Sequence, residues 1–195
     1  MKLYRPIKTN LQSQGYGIKG TQPRMLAFYQ SLGLTAHNGF DLVAKDLEPC
    51  YFNYYGKGKV YRLTDDPLLG VGVDVLVQDT EGIFQLRFWH FKSYVVKAGQ
   101  EVESGDLIGY CDNTGQSTGT HLHFDLAEGT FQNNGTFDLI NRDNGFFGKI
   151  DPYPYWDNRF VLDVKYNVEE QVSILQKMIN TIKSLIGLLL NKGQK

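Results

Sequence analysis

The chain has few cysteines and no marked charge excess. Its two cysteines, Cys50 and Cys111, lie far apart and form no CxxC motif, which argues against a cysteine-based zinc site. We expect both thiols to be free and buried, with one disulfide as the alternative. The formal net charge is −1, so the composition gives no reason to expect a nucleic-acid or acidic-membrane partner.

Long apolar runs are also missing. Residues 1–17, MKLYRPIKTNLQSQGYG, contain no hydrophobic stretch of the length that a secretion signal needs. Near the C-terminus, Lys177, Asn180 and Lys183 interrupt the apolar sequence, so no transmembrane segment is expected. We therefore expect the chain either to be exported without a signal peptide or to stay in the cytoplasm until release.

Short alternating segments dominate the first 165 residues. KGKVYRL, GVGVDVLVQD, GIFQLRFWHF and HLHFDL alternate apolar and polar residues between turn-forming residues, which predicts strands. Asp79–Gly82 is predicted to be the turn of a hairpin, and Thr21–Gly33 a short helix. We predict that residues 1–165 form a single, mainly antiparallel β domain.

A different pattern follows in residues 166–195, which we predict to be a C-terminal amphipathic helix. Its apolar residues recur at alternating spacings of four and three: Val168, Val172, Leu175, Ile179, Ile182, Ile186 and Leu189. Such a stripe has to be buried against something. Packing on the β domain or a neighbouring helix, homo-oligomerisation as a coiled coil through residues 168–189, and adsorption to a membrane surface are the alternatives.

Histidine is scarce, yet two of the four histidines stand one residue apart in GTHLHFDL. If this segment is a strand, His121 and His123 share one face, while Leu122 and Phe124 point to the other. The segment therefore predicts a strand that packs on a core and presents two imidazoles on its open side.

A third histidine lies four residues before a carboxylate in TAHNGFDL. His37 and Asp41 suit a zinc ion, and Gly39 between them would leave room for an ion or substrate. His123 can supply a third ligand. The fourth coordination position would then hold water, as in catalytic rather than structural zinc sites.

Three blocks of sequence resemble the lysostaphin-like (LytM-type) zinc endopeptidases, which cut peptide bonds in bacterial peptidoglycan. They are LQSQGYG near the N-terminus, HNGFDL with an HxxxD motif, and the glycine-rich Phe88–Leu126 segment that ends in HxH. The resemblance covers roughly Tyr4 to Asp157. It implies a mainly β, antiparallel, sandwich-like core of the lysostaphin-like, duplicated-hybrid type. It also implies one Zn²⁺ ion and a peptidoglycan stem or cross-bridge peptide as substrate.

The resemblance also implies a role for each site residue. The zinc ligands would be His37, Asp41 and His123. His121 would be the general base or proton shuttle for the metal-activated water, and His90 would help to orient that water and stabilise the tetrahedral intermediate. Tyr29 is the nearest upstream candidate for the family's tyrosine that supports the oxyanion.

Two positions depart from the family pattern: Cys111 replaces a glycine, and Asp125 stands where glutamate is frequent. We expect neither to touch a ligand. Two flanking segments, Glu48–Val60 and Phe131–Asp157, are expected either to line a substrate groove or to cover the sheet.

The resemblance favours a phage-encoded lytic or tail-associated enzyme, because similar NG…DPYPY endings occur in phage members of the family. Such an enzyme would be made in the cytoplasm and act on the cell wall after release, or be carried by the virion. The alternative is a virion structural or wall-binding component. Its C-terminal helix would oligomerise, and lytic activity would be secondary or absent.

Overall fold

The structure is a computed structural model that describes residues 1–192, without the side chains of residues 185 and 187–192. Residues 1–161 form one compact unit, and a second unit begins at residue 162. The strands are β1 Leu3–Arg5, β2 Gln12–Gln14, β3 Phe40–Val43, β4 Pro49–Tyr51, β5 Lys57–Asp66, β6 Gly70–Asp79, β7 Gly82–Tyr94, β8 Glu101–Glu103, β9 Leu107–Cys111, β10 His121–Phe131, β11 Phe137–Leu139, β12 Lys149–Ile150 and β13 Trp156–Phe160. The α-helices are α1 Gly17–Gly20, α2 Leu26–Ser31 and α3 Val161–Lys192.

One large antiparallel sheet dominates the first unit. Its strands follow the order β2-β3-β10-β7-β6-β5-β8, with β11 and β12 paired to β10, and β9 joining β4 to β7. A separate pair, β1 and β13, is parallel. The predicted fold class, mainly β and antiparallel with a C-terminal helix, is confirmed.

The core lies under the central strands of this sheet, where alternate apolar residues face inward. Those of β6, β7 and β10 are Val73, Val75, Val77, Phe84, Leu86, Phe88, Leu122, Phe124 and Leu126, all buried. Each contributes about 1.5–3 kcal/mol by leaving water. Leu122 and Phe124 therefore occupy the core face that the alternation predicts.

The predicted hairpin turn and the predicted short helix are both present. Asp79 pairs with Gly82 across a two-residue turn between β6 and β7. The helical segment predicted at residues 21–33 is a 3₁₀ turn, Pro23–Met25, followed by α2. It stops at Gly33, whose φ of 82° suits a residue without a side chain just after a helix.

Both cysteines are buried and free, as predicted. Burial and the adjacent Cys111 thiol raise the pKa of Cys50 well above its ordinary value. The Cys50 thiol is therefore unreactive inside the core.

All of α3 except its first residue lies in the second unit, and the helix begins at Val161, five residues earlier than predicted. Six residues of the predicted stripe, Val168, Val172, Leu175, Ile179, Ile182 and Ile186, have exposed side chains. The side chain of Leu189 lies outside the described residues. Among the described residues, no helix is long and apolar enough to cross a membrane.

Candidate metal centre

The centre forms where β10 runs between β3 and β7. His123 pairs with Asp41 on one side and with Trp89 on the other. Directly paired residues of neighbouring strands project from the same face of a sheet. The register thus brings together His123 and Asp41, although they are 82 residues apart in the sequence.

Three ligand atoms converge at this point. His37 Nε2 lies 3.1 Å from Asp41 Oδ1 and 3.1 Å from His123 Nδ1, which is in turn 3.0 Å from Asp41 Oδ1. Ligands at about 2.0–2.1 Å from a tetrahedral zinc ion lie about 3.3 Å from one another. The triangle therefore has nearly the size that one such ion needs.

The hydrogen bonds around the triangle leave its inner atoms as acceptors. His37 Nδ1 lies 2.9 Å from the carbonyl oxygen of Gly15, and His123 Nε2 lies 3.4 Å from Asp125 Oδ2. When these outer nitrogens donate, the inner nitrogens carry no hydrogen and face a carboxylate oxygen. A proton or a cation has to lie between them. Two imidazoles and one carboxylate are ligands that zinc prefers, so the residues present fit that ion.

The close packing of β3 against β10 requires glycine at position 39. The sequence had suggested instead that Gly39 leaves room for an ion or substrate. A Cβ atom at Gly39 would lie 2.4 Å from the carbonyl oxygen of Phe124 and 2.9 Å from His123 Cε1. The space beside Gly39 thus belongs to the neighbouring strand, not to an ion or substrate.

Asp125 was expected to touch no ligand, and this expectation is wrong. It lies two residues after His123 on β10, so both side chains project from the same face. Asp125 is fully buried and forms ion pairs with Arg87 Nη2 at 2.9 Å and Lys149 Nζ at 3.0 Å. Burial opposes its charge, but the two cations hold the pKa of Asp125 far below its ordinary value.

The charges inside the triangle depend on one another. Burial disfavours a charged Asp41, yet hydrogen bonds with His123 and His37 hold its pKa well below the ordinary value. Burial likewise disfavours a charged His123, yet Asp125 and Asp41 raise its pKa to about 9. In the metal-free chain, His123 is therefore protonated at neutral pH, and its proton occupies the position between the ligand atoms that a metal ion would take.

His121 and His90 stand beside the triangle. His121 Nε2 lies 3.5 Å from Asp41 Oδ1, and its Nδ1 lies 2.7 Å from the carbonyl oxygen of Gly119. The His90 ring centroid is 4.6 Å from that of His121, and His90 Nδ1 lies 2.7 Å from the carbonyl oxygen of Thr114. In both histidines a backbone carbonyl accepts from Nδ1, so Nε2 is left to accept a proton.

His90 reaches the centre through an irregularity in β7. Its φ is 67°, rare for a residue with a side chain, and the pairing of β7 with both β6 and β9 shifts near it. Consecutive residues Trp89 and His90 both line the cleft as a result. Burial and the nearby His123 and His121 lower the pKa of His90 to about 3.

Tyr29 comes from α2 and lines the same cleft. Its ring centroid is 5.2 Å from that of His37, and its hydroxyl oxygen lies 3.0 Å from Gln14 Nε2. Burial and the charge of Asp41 raise the pKa of Tyr29 above its ordinary value, so the hydroxyl keeps its hydrogen.

All six residues predicted for the site line one cleft of about 790 Å³: Tyr29, His37, Asp41, His90, His121 and His123. Of the flanking segments, Phe131–Asp157 contributes Phe147, whereas the residues described as lining the cleft include none of Glu48–Val60. Sequence reasoning missed Leu68 and Leu69, which lie in the connection between β5 and β6 and form an exposed apolar part of the rim.

Comparisons with known proteins agree with this geometry. The model of peptidase family M23 matches residues 35–136. The peptidoglycan DD-endopeptidase ShyA of Vibrio cholerae is 36% identical over 90 residues, which are 46% of this chain and 20% of ShyA. The glycyl-glycine endopeptidase ALE-1 of Staphylococcus capitis is 34% identical over 65 residues, which are 33% of this chain and 18% of ALE-1. The chain thus spans about a fifth of the length of these relatives.

A solved structure shares the fold. The catalytic domain of the antimicrobial peptidase lysostaphin from Staphylococcus simulans superposes with a TM-score of 0.52 at 24% identity. The superposition covers 74% of this chain and 90% of that domain. The first unit therefore has the lysostaphin-like fold that the sequence resemblance implied.

Proposed function

The chain belongs to peptidase family M23, and from this premise we propose that it is a zinc-dependent endopeptidase of bacterial peptidoglycan. The observation that carries the proposal is the convergence of three acceptor atoms, from His37, Asp41 and His123, beside the imidazoles of His121 and His90. A metal-binding triangle next to two proton acceptors is the arrangement that metal-assisted peptide hydrolysis needs.

His37, Asp41 and His123 would hold the ion. A bound zinc ion supplies a Lewis acid that activates water for attack near neutral pH and polarises a carbonyl group. The chain's own residues supply the remaining chemistry.

Proton transfer is assigned to His121. Its Nδ1 is held by Gly119 and Ser117, so Nε2 faces the centre and can accept the proton of the attacking water. The same nitrogen then returns that proton to the departing amine, which leaves His121 neutral at the end of the reaction. His90, beside it, orients the water through its own free Nε2, and the Tyr29 hydroxyl donates to the oxygen of the former carbonyl.

Two relatives point to two candidate bonds. ShyA is a DD-endopeptidase and ALE-1 a glycyl-glycine endopeptidase, so the substrate is expected in a stem cross-link or in a glycine cross-bridge. The cleft beside the triangle has apolar side chains on its rim, which suits an extended peptide.

The test is hydrolysis of purified cell walls that carry different cross-bridges, with and without a chelator. We expect one zinc ion per chain, loss of turbidity on at least one wall type, and no clearing after chelation. Mass spectrometry of the released fragments identifies the bond. A chain that holds one zinc ion but clears no wall contradicts the proposal and favours the alternative role in wall binding.

A second proposal concerns α3. We infer that its exposed stripe is a self-association surface, because six residues follow the heptad pattern without a polar interruption: Val168, Val172, Leu175, Ile179, Ile182 and Ile186. Val172, Ile179 and Ile186 share one heptad core position and are all β-branched, which in parallel coiled coils favours two strands. The expected partner is a second copy of this chain.

Sedimentation of the full chain tests this assignment. We expect the double substitution Leu175→Glu and Ile182→Glu to convert an oligomer into monomers, because it places charges in the helix–helix core. Ser173→Glu with Ser184→Glu adds the same charge on other faces of α3 and should leave the oligomer intact. A monomeric wild-type chain at micromolar concentration would overturn the assignment.

A further inference from the structure

We propose that Gln14 is a positioning residue that ties the metal ligand Asp41 to the hydroxyl of Tyr29, so that one amide sets the orientation of both. The proposal rests on the peptidase function given above. Gln14 is the last residue of β2, which pairs with β3 at the edge of the large sheet. Its side chain is buried next to Asp41. Gln14 lies in the LQSQGYG block, to which the sequence resemblance gave no role in the site.

The side-chain amide nitrogen of Gln14 makes two short contacts. Gln14 Nε2 lies 2.7 Å from Asp41 Oδ2 and 3.0 Å from the Tyr29 hydroxyl oxygen. An amide nitrogen carries two hydrogens, so it can donate to both acceptors at once. Asp41 Oδ2 is thereby engaged, and its other oxygen, Oδ1, is the one that faces His37 and His123.

The chemistry of the neighbours fixes which way the amide points. The backbone N–H of Gln22 lies 3.3 Å from Gln14 Oε1 and can only donate. Asp41 on the opposite side is a carboxylate and can only accept. Turning the amide over would place oxygen against carboxylate and N–H against N–H, so the orientation with Nε2 toward Asp41 is the favourable one.

This orientation determines what the Tyr29 hydroxyl does. Because its oxygen accepts from Gln14, its own hydrogen is free to donate, and the described residues offer no acceptor for it. Tyr29 lines the cleft, so the hydrogen is available to the substrate oxygen. Without the amide, the hydroxyl oxygen would lose the donor that fixes its orientation, and Asp41 Oδ2 would lose the same donor.

The decisive experiment is a double-mutant cycle on the full chain with zinc at saturation. Gln14→Met keeps the length of the side chain but removes the amide, and Tyr29→Phe removes the hydroxyl. Gln12→Met is the matched control on the same strand, because the Gln12 amide contacts the Tyr153 hydroxyl and the backbone carbonyl oxygen of Gln14, but neither Asp41 nor Tyr29. The substrate is a soluble cross-linked fragment released from the wall that the wild-type chain clears. Zinc affinity is measured separately by chelator competition, and folding by thermal unfolding.

We expect Tyr29→Phe to lower kcat about 100-fold, as for loss of one oxyanion donor. Gln14→Met should lower kcat about tenfold with little change in KM, but should have no further effect in the Tyr29→Phe background. It should also weaken zinc binding about tenfold in both backgrounds, since Asp41 loses a donor. Gln12→Met should change neither kcat nor zinc affinity.

Equal losses of kcat from Gln14→Met in both backgrounds would overturn the link to Tyr29. Unchanged zinc affinity would overturn the link to Asp41. Either result, obtained with an active wild-type chain, leaves the proposed peptidase function intact. A zinc-loaded wild-type chain that hydrolyses no wall removes the peptidase function and this inference with it.

Discussion

His123 Nε2 lies 3.4 Å from a carboxylate oxygen of Asp125, two residues further along the same strand. Because alternate residues of a strand share a face, one strand supplies both a candidate metal ligand and a carboxylate next to it. When Nε2 donates to this carboxylate, Nδ1 carries no hydrogen and is able to bind a metal ion. Arg87 pairs with the same oxygen of Asp125 and Lys149 with the other, and these two cations stabilise the buried carboxylate in its charged form.

This relationship makes Asp125→Asn informative. We expect zinc affinity to fall about 10–100-fold, as is typical when the carboxylate behind a ligating histidine is lost. The free energy of unfolding should fall by about 3–5 kcal/mol, because Lys149 keeps its charge in a buried position without its partner. Chelator competition and chemical denaturation measure the two effects.

Lys149→Met is the control for Asp125→Asn. It breaks the same ion pair without touching His123, so stability should fall while zinc affinity changes less. Equal losses of zinc affinity in the two variants would mean that general destabilisation, and not the contact with His123, is responsible.

The ligands and the proton acceptor should respond differently to alanine. His37→Ala and His123→Ala should abolish both zinc binding and wall hydrolysis, because two ligands cannot hold the ion firmly. His121→Ala should keep one zinc per chain and lose about 10²–10⁴-fold in rate, the usual contribution of a general base. Metal analysis and turbidity clearing measure these outcomes. Wild-type turnover in His121→Ala would show that the base is assigned wrongly.

Zinc affinity should depend on pH through His123. The pKa of His123 is raised to about 9 in the metal-free chain, so below that pH a proton occupies the position that zinc takes. Zinc has to displace this proton, and its affinity should therefore rise about tenfold per pH unit up to about pH 9 and then level off. Chelator competition across this range, with calorimetry in two buffers to count released protons, measures the effect. An affinity that is constant between about pH 7 and 9 would contradict it.

Gly39 should not tolerate a side chain. In Gly39→Ala the new Cβ would meet the backbone oxygen of Phe124 at 2.4 Å, and β3 would have to move away from β10. We expect unfolding to become easier by about 1–3 kcal/mol and zinc binding to weaken, since Asp41 lies on β3. Gly119→Ala, where a Cβ meets nothing within 4 Å, is the control and should resemble the wild type. Similar behaviour of the two variants would contradict the close approach.

Local sequence patterns predicted much of the fold and those residues of the site that belong to the HxxxD and HxH motifs. The alternation in HLHFDL placed Leu122 and Phe124 in the core, and turn residues located the β6–β7 hairpin and the end of α2 at Gly33. His37, Asp41 and His123 were recognisable because the HxxxD and HxH spacings are short. Such patterns arise within a few residues, where the sequence constrains the backbone directly.

The strand alternation in HLHFDL also indicates where Asp125 lies. Asp125 is two residues from His123, so its place on the same face followed from the strand itself. Its contact with the imidazole was therefore accessible from the sequence, whereas its pairing with Lys149 was not.

The sequence by itself thus determined the long central strands, the helix α3 and the side chains of the candidate metal centre. Only the tertiary structure decided what supports them. Gln14 meets Asp41 across 27 residues and Lys149 meets Gln85 across 64, contacts that depend on sheet register and not on local spacing. The positive φ of His90 likewise departs from strand alternation and turns its ring toward His121. Strand pairing is non-local, so the hydrogen bonds that orient each ligand exist only once the sheet has formed.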